Sequence, residues 1–268
     1  DRSPGLFTVV CVLIGPAFIT LSLRCYVRWA GRAFGSDDWC MLISAPFFAW
    51  LCASCMSAAV HGIGAHEDHL YGGTEQQIAG FKDFFMFELS YCIGLMFTKL
   101  SIGLMLCRVA SSKPTYVWIL RAVMALQTLI LLIITLYVLS YCHPVEYAWN
   151  KTIANGHCAP ANIITVFSYV LAAINIVFDW TCAILPIPLL WNVQLNTRAR
   201  VAACVLLSFG VFASVCALVR LKYNIGLSAS NDYFYNVCPV LTYGFAEAGV
   251  GMIAANSSTL RPLFRRFF

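Results

Sequence analysis

The sequence predicts an all-α polytopic membrane protein, a single domain over residues 1–268 with seven transmembrane helices. Two observations carry that prediction. Hydrophobic residues make up 60% of the chain and charged residues 11%, whereas a soluble domain carries ~25% charge. The apolar residues also fall in long runs, and crossing ~30 Å of hydrocarbon takes ~20 of them in a helix. Lipid offers no hydrogen bonds, so each backbone N–H and C=O in such a run must pair internally, as a helix allows.

The runs place spans at Gly5–Arg28, Asp38–Val60, Phe81–Arg108, Tyr116–Leu139, Ile163–Trp191, Ala199–Lys222 and Asn236–Leu260. The first is too long for a secretory h-region and lacks a small-residue cleavage site. Asp1 is not an initiating Met, so a fragment is expected, and Arg265-Arg266-Phe267-Phe268 reads as the start of a tail. Pro186 and Pro188 each remove a backbone N–H, so the fifth helix is expected to kink near its inner end. Asp37 and Asp38 stand at the start of the second helix, where acidic groups cap free N–H groups and complement the dipole. Trp39 follows as an interfacial anchor, and Arg24 or Arg28 is within reach of a salt link to the acids.

Basic residues set the orientation. The first, third and fifth connections and the C-terminal end, with their flanks, hold Arg24, Arg28, Arg32, Arg108, Lys113, Arg121, Arg198, Arg200, Arg261, Arg265 and Arg266. The other side holds Arg2, Lys82, Lys151, Arg220 and Lys222. Lys and Arg are retained in the cytoplasm, so the N-terminus is expected outside and the C-terminus inside. The connection before the fifth helix is then external. It carries the glycosylation sequon Asn150-Lys151-Thr152. It also carries Cys142 and Cys158, which an oxidising lumen would let pair, with Cys92 and Cys238 as competing partners. His61, His66 and His69 with Glu67 and Asp68 do not follow a known ligand spacing and read as an outer loop shaping a pocket mouth.

Several stretches together resemble the fungal rhodopsin-like integral membrane family. They are Arg24-x-Tyr26-x-Arg28 with Asp37-Asp38-Trp39, the outer Gly62-x-Gly64-x-His66, and Lys99-Leu100-Ser101. Further along come Cys142-His143-Pro144, Trp149, Gly156-His157-Cys158, Asp179, Leu185-Pro186-Ile187-Pro188, Trp191, Phe209-Gly210, Glu247 and Leu260-Arg261-Pro262. Asn256-Ser257-Ser258-Thr259 departs from the family, which often has a Pro-containing break there. The resemblance implies a receptor-like fold. It does not imply retinal, because the last span has no Lys for a Schiff base and the intramembrane Lys is Lys99, on the third. Hallmarks of animal rhodopsin-like receptors are missing too: the third helix ends Cys107-Arg108-Val109 and the last has no Asn-Pro-x-x-Tyr.

An ionisable residue inside a span costs ~2.5–3.5 kcal/mol on insertion scales, so it rarely faces lipid. Glu88, Lys99, Asp179 and Glu247 are the candidates. At 1.5 Å per residue, Lys99 lies ~27 Å, Asp179 ~24 Å and Glu247 ~17 Å along their helices. Two readings follow. In one, Lys99 neutralises Asp179 or Glu247, and the spare carboxyl is protonated or hydrogen-bonded. In the other, the three line a polar pocket for a small molecule, or a buried carboxylic acid donates a proton. Glu88 lies nearest the outer rim.

The expected function is a receptor-like protein sensing an external small molecule or surface cue. Lys99, Asp179, Glu247 and Glu88 would contact ligand, with His66 and the Cys142–Cys158 loop as an outer lid. Its expected partners are membrane lipid, a lipophilic or small-molecule ligand and a cytoplasmic signalling protein, with no nucleic acid and no cofactor. The alternative is a membrane-embedded cyclase or isomerase of secondary metabolism. The resemblance suggests it, since family members occur beside such genes, and Asp179 or Glu247 would be the general acid. The chain has no Gly-x-x-x-x-Gly-Lys, Gly-x-Ser-x-Gly or His-Glu-x-x-His motif and no zinc-type cysteine pairing.

Overall fold

Helices of 24 to 37 residues account for most of the chain, and at 1.5 Å per residue the shortest already covers ~36 Å. A computed structural model describes residues 2–66, 73–110, 113–185, 197–227 and 232–259. The helices are α1 (Ser3–Ala30), α2 (Ser36–Val60), α3 (Gly73–Val109), α4 (Pro114–Ser140), α5 (Ala161–Ile184), α6 (Thr197–Leu227) and α7 (Tyr233–Thr259). Six of the described helices are long and apolar enough to cross a membrane, and α6 is outside that number. Its sequence nonetheless carries the uncharged run Val201–Val219. The expected Pro186–Pro188 kink, the residues Glu67, Asp68 and His69, and Leu260-Arg261-Pro262 lie outside the described residues.

Two helices outrun the expected spans, and α5 falls short of its own, ending at Ile184 where Trp191 was expected, because Pro186 has no N–H to continue the helical ladder. α3 begins eight residues before Phe81 and α6 continues five past Lys222. In both places polar residues prolong the helix beyond its apolar run, because helical hydrogen bonding does not end where hydrocarbon ends. The α6 extension matters for the site.

Neighbours in sequence pack side by side: α1 on α2, α2 on α3, α3 on α4, α4 on α5, α5 on α6 and α6 on α7, with α7 closing on α1. Helix α3 also touches α5 and α7, so it runs nearest the centre. The main core joins Leu6, Val10, Met41, Phe48, Leu51, Phe87, Leu95, Leu241 and Phe245, all buried. The outward residues of α1 and α4, such as Val12, Ile19, Leu129 and Leu136, are exposed and apolar, as a lipid-facing surface requires.

At one end the chain is tied by backbone. Arg2 N donates to Gly64 O at 2.9 Å and Gly64 N donates to Phe234 O at 3.0 Å, joining the starts of α1 and α7 to the turn after α2. Gly62 and Gly64 have φ of 88° and 108°, a region that favours glycine. A Cβ on Gly64 would also lie 2.7 Å from Ser3 N. Beyond α4, strand β1 (Cys142–His143) pairs antiparallel with β2 (His157–Cys158), and Cys142 is disulfide-bonded to Cys158. Cys92 and Cys238, the competing partners, are free and buried. Trp149 packs on Phe85 with ring centroids 5.3 Å apart, which seats this loop on α3.

The opposite end is held by charge. Arg24 is 1% exposed, and its guanidinium donates to Asp38 Oδ1 at 2.8 Å and Asp37 Oδ2 at 3.0 Å. It also donates to Ser101 Oγ and the Ala255 carbonyl, each at 3.3 Å. One side chain therefore bridges α1, α2, α3 and α7. Arg28 and Arg108 add ion pairs to Asp37 at 3.2 and 2.8 Å. Gly35 N donates to Asp38 Oδ2 at 3.0 Å, so this carboxylate caps α2 as well. Removing one partner from a buried pair strands the other charge, at ~3–5 kcal/mol. Arg24→Leu is therefore expected to destabilise the detergent-solubilised protein by about 3–5 kcal/mol in thermal unfolding. Arg108→Ala, removing a cation that is 46% exposed, should cost less than about 1 kcal/mol.

Candidate functional site

Two cavities follow one another along α3. The outer one, so labelled because it lies nearer the disulfide-tied loop, measures about 270 Å³ and is lined on that helix from Phe81 to Cys92. The inner one, of about 70 Å³, is lined from Leu95 to Leu106. Small-molecule pockets start near ~300 Å³, so the outer cavity is ligand-sized and the inner one holds at most a few waters.

Lys99 (α3), Asp179 (α5) and Glu247 (α7) all line the inner cavity. Lys99 Nζ donates to Asp179 Oδ1 and forms a buried ion pair with it. Its ammonium also lies 5.1 Å from the centroid of the Phe178 ring. Glu247 makes no ion pair with Lys99. It is 2% exposed and accepts hydrogen bonds from Tyr91 Oη at 2.8 Å and Asn175 Nδ2 at 3.2 Å. Asn175 Oδ1 in turn accepts from Gln127 Nε2 at 2.6 Å. The four side chains form a polar chain from α7 through α3 and α5 to α4. Both Glu247 oxygens are satisfied, as a buried carboxyl requires.

Tyr91 divides the cavities, since it lines the outer one while holding Glu247, which lines the inner one. Phe81, Phe84, Phe85, Tyr137, Phe167 and Tyr233 give the outer cavity an aromatic wall, and Trp149 behind Phe85 links that wall to the disulfide-tied loop. Glu88 lies in this wall, one helical turn from Tyr91 on the same face of α3. Arg220 enters from α6, with its guanidinium carbon 4.5 Å from the Tyr91 ring centroid. At the mouth, Lys151 Nζ stands 4.5 Å from the Tyr147 ring centroid. Loss of hydration there lowers the Lys151 pKa from the ordinary lysine value.

His66 lies elsewhere. It is exposed, bonded through Nδ1 to Asp232 Oδ2 at 3.1 Å and stacked on Tyr235, and it lines neither cavity. The Asn150 side chain accepts from the Thr152 backbone N–H at 3.1 Å and from Thr152 Oγ1 at 2.6 Å, on an exposed turn. Among the described residues no three His, Cys, Asp or Glu side chains converge on a point.

Sequence reasoning missed Tyr91, Asn175, Gln127 and Arg220. Asn175 and Gln127 had a signal: each is a lone amide inside an apolar run, and such amides hydrogen-bond across helices. Arg220 was counted as an outer flank because the apolar run of the sixth span stops beside it. Since α6 continues to Leu227, Arg220 sits ~10 Å inside the helix end.

Six described helices long and apolar enough to cross a membrane make this a multi-pass integral membrane protein. The chain belongs to the fungal rhodopsin family: residues 23–266 match the Fungal rhodopsin domain. It is 26% identical over 222 residues to a SAT4 family membrane protein of Emericella nidulans, covering 80% of this chain and 53% of that protein. It is 25% identical over 171 residues to Fugralins biosynthesis cluster protein 2 of Gibberella zeae, covering 62% and 42%. It is 22% identical over 277 residues to Polyenoic acids biosynthesis gene cluster protein Ba17b of Metarhizium anisopliae, covering 96% and 72%. The chain thus spans about half the length of the first two of these relatives. No solved structure matches it.

The ion pair gives the sharpest structural test. Lys99→Met leaves Asp179 buried without its cation and is expected to cost about 3–5 kcal/mol. The double variant Lys99→Met/Asp179→Leu should recover most of that loss, to within about 1 kcal/mol of the parent, in a double-mutant cycle read by thermal unfolding.

Proposed function

We propose that this protein is a receptor-like membrane sensor, without retinal, that takes a small lipophilic molecule into the outer cavity. The observation that carries the reading is the aromatic cavity beneath the disulfide-tied loop, ended by Tyr91 and its bond to Glu247. A ligand pressing on Tyr91 bears on the polar chain through Glu247, Asn175 and Gln127. Below that chain lie the Lys99–Asp179 pair and the Arg24 cluster. Ligand acts by stabilising one arrangement of these helices over another, and the difference in affinity sets the size of the response. In this reading Lys99, Asp179 and Glu247 form the transmitting centre, Glu88 contacts ligand, and His66 with Asp232 shapes the outer rim.

The orientation belongs to the same proposal. The cap and its sequon face the outside or a lumen, and the Arg24 end faces the cytoplasm and a signalling partner. Support comes from the excess of basic residues at the Arg24 end and the disulfide at the other.

Ile164 lines the outer cavity on α5. Ile164→Trp fills space there and is expected to abolish ligand-induced thermal stabilisation of nanodisc-embedded protein. The unliganded melting temperature should move by less than ~3 °C. Ligand should also change hydrogen exchange in the turn between α1 and α2, beside Arg24. Stabilisation that survives the tryptophan places the ligand elsewhere.

Two relatives carry names of biosynthesis clusters, which favours a second reading as a membrane-embedded enzyme with Glu247 or Asp179 as general acid. Glu247→Gln separates the two readings. The amide keeps an acceptor for Asn175, so the sensor should still bind and respond within about threefold. Loss of turnover of a lipophilic precursor by folded Glu247→Gln protein in microsomes is the result that favours the enzyme.

A further inference from the structure

Arg220, like Glu88 and Lys151, is a charged group of the outer cavity that the proposed transmission path does not use. It is 8% exposed. Among the described residues it has no hydrogen bond and no carboxylate within salt-bridge distance; its guanidinium lies over the face of Tyr91. Glu247 and Glu88 are its electrostatic neighbours. Glu247 spends both oxygens on Tyr91 and Asn175. Glu88 lines the same cavity as Arg220 and likewise has no hydrogen-bond partner among the described residues. The cavity therefore presents a cation and an anion, held apart by more than a salt bridge, against an aromatic wall. Leaving two such groups unpaired is costly at this depth, and a molecule placed between them satisfies both.

We infer that the ligand is an apolar acid with a donor next to its carboxylate, of the hydroxy-acid or amino-acid type. The carboxylate accepts from Arg220, whose guanidinium N–H fork suits two oxygens. The neighbouring hydroxyl or ammonium donates to Glu88. The apolar part lies among Phe84, Phe85 and Phe167. Lys151 at the mouth draws the acid in. An acid without the donor leaves Glu88 unpaired beside a second negative charge, and an amine without the carboxylate leaves Arg220 unpaired. This inference rests on the outer cavity being the ligand site.

The test uses protein in nanodiscs and calorimetric titration with five matched probes: 3-phenyllactate, phenylalanine, 3-phenylpropionate, phenethylamine and 3-phenylpropanol. Phenyllactate or phenylalanine, or both, should bind at least tenfold more tightly than phenylpropionate and phenethylamine, and which of the two prevails identifies the donor. Arg220→Gln should cut the affinity of the preferred probe at least tenfold, and Arg220→Lys should keep part of it. Glu88→Gln should erase the preference over phenylpropionate without weakening phenylpropionate itself. This second variant keeps the inference exposed even if loss of Arg220 prevents folding. Equal binding of phenylpropionate and the preferred probe overturns the inference. Binding of phenylpropanol alone, sensitive to Ile164→Trp, also overturns it while leaving the cavity as a ligand site. Binding of none of the five overturns both.

Discussion

The guanidinium of Arg24 is the interaction on which the rest of the bundle depends. A membrane interior supplies no water to an unpaired charge, so an arginine on the first helix is tolerated only where protein surrounds it. Here it is met by both carboxylates of Asp37 and Asp38, a serine hydroxyl and a main-chain carbonyl. The partners come from three other helices, so satisfying one side chain fixes the relative positions of α1, α2, α3 and α7. Dispersion contacts between apolar faces can slide by a rotamer. A fork of directed hydrogen bonds cannot, because each displaced donor strands an acceptor.

The same rule, repeated towards the other end, divides the interior into layers. The Lys99–Asp179 pair links α3 to α5, and the chain from Glu247 to Gln127 links α7, α3, α5 and α4. Each interhelical hydrogen bond is worth only ~0.6 kcal/mol on average in a membrane. Their value is therefore in specifying which faces meet, with apolar packing supplying the bulk of the attraction. Above Tyr91 the rule is incompletely met among the described residues: Arg220 and Glu88 line the outer cavity with neither a hydrogen bond nor an ion pair. A cavity whose cation and anion have no partner among the described residues favours a charged occupant, and on that ground it is proposed as the ligand site.

Much of this was legible in the amino-acid sequence. Long apolar runs fix the helices because no other structure satisfies the backbone in lipid. The cost of a buried charge singled out Glu88, Lys99, Asp179 and Glu247; the last three line one chamber and Glu88 lines the other. Which acid takes the lysine was not legible, since depth along a helix leaves its rotation undefined. Asp179 won because it faces α3, while Tyr91 and Asn175 claimed Glu247. Arg220 was lost for a different reason. Hydropathy marks where a run becomes polar, and a helix that continues past that point carries its last charges inward. His66 shares a turn with the glycines that its motif requires, but its side chain goes to Asp232 and away from the cavity. The family match over residues 23–266 agrees with the order of short motifs, although each was weak alone.

The most direct measurement is a single-particle cryo-electron microscopy map of the full-length protein in lipid nanodiscs, at a resolution that shows side chains. Glu247 is expected within hydrogen-bonding distance of Tyr91 and Asn175, and Arg220 across the Tyr91 ring with its nitrogens open to the outer cavity. A map in which Arg220 reaches a membrane interface, with Glu247 turned towards lipid or bulk water, rules that arrangement out.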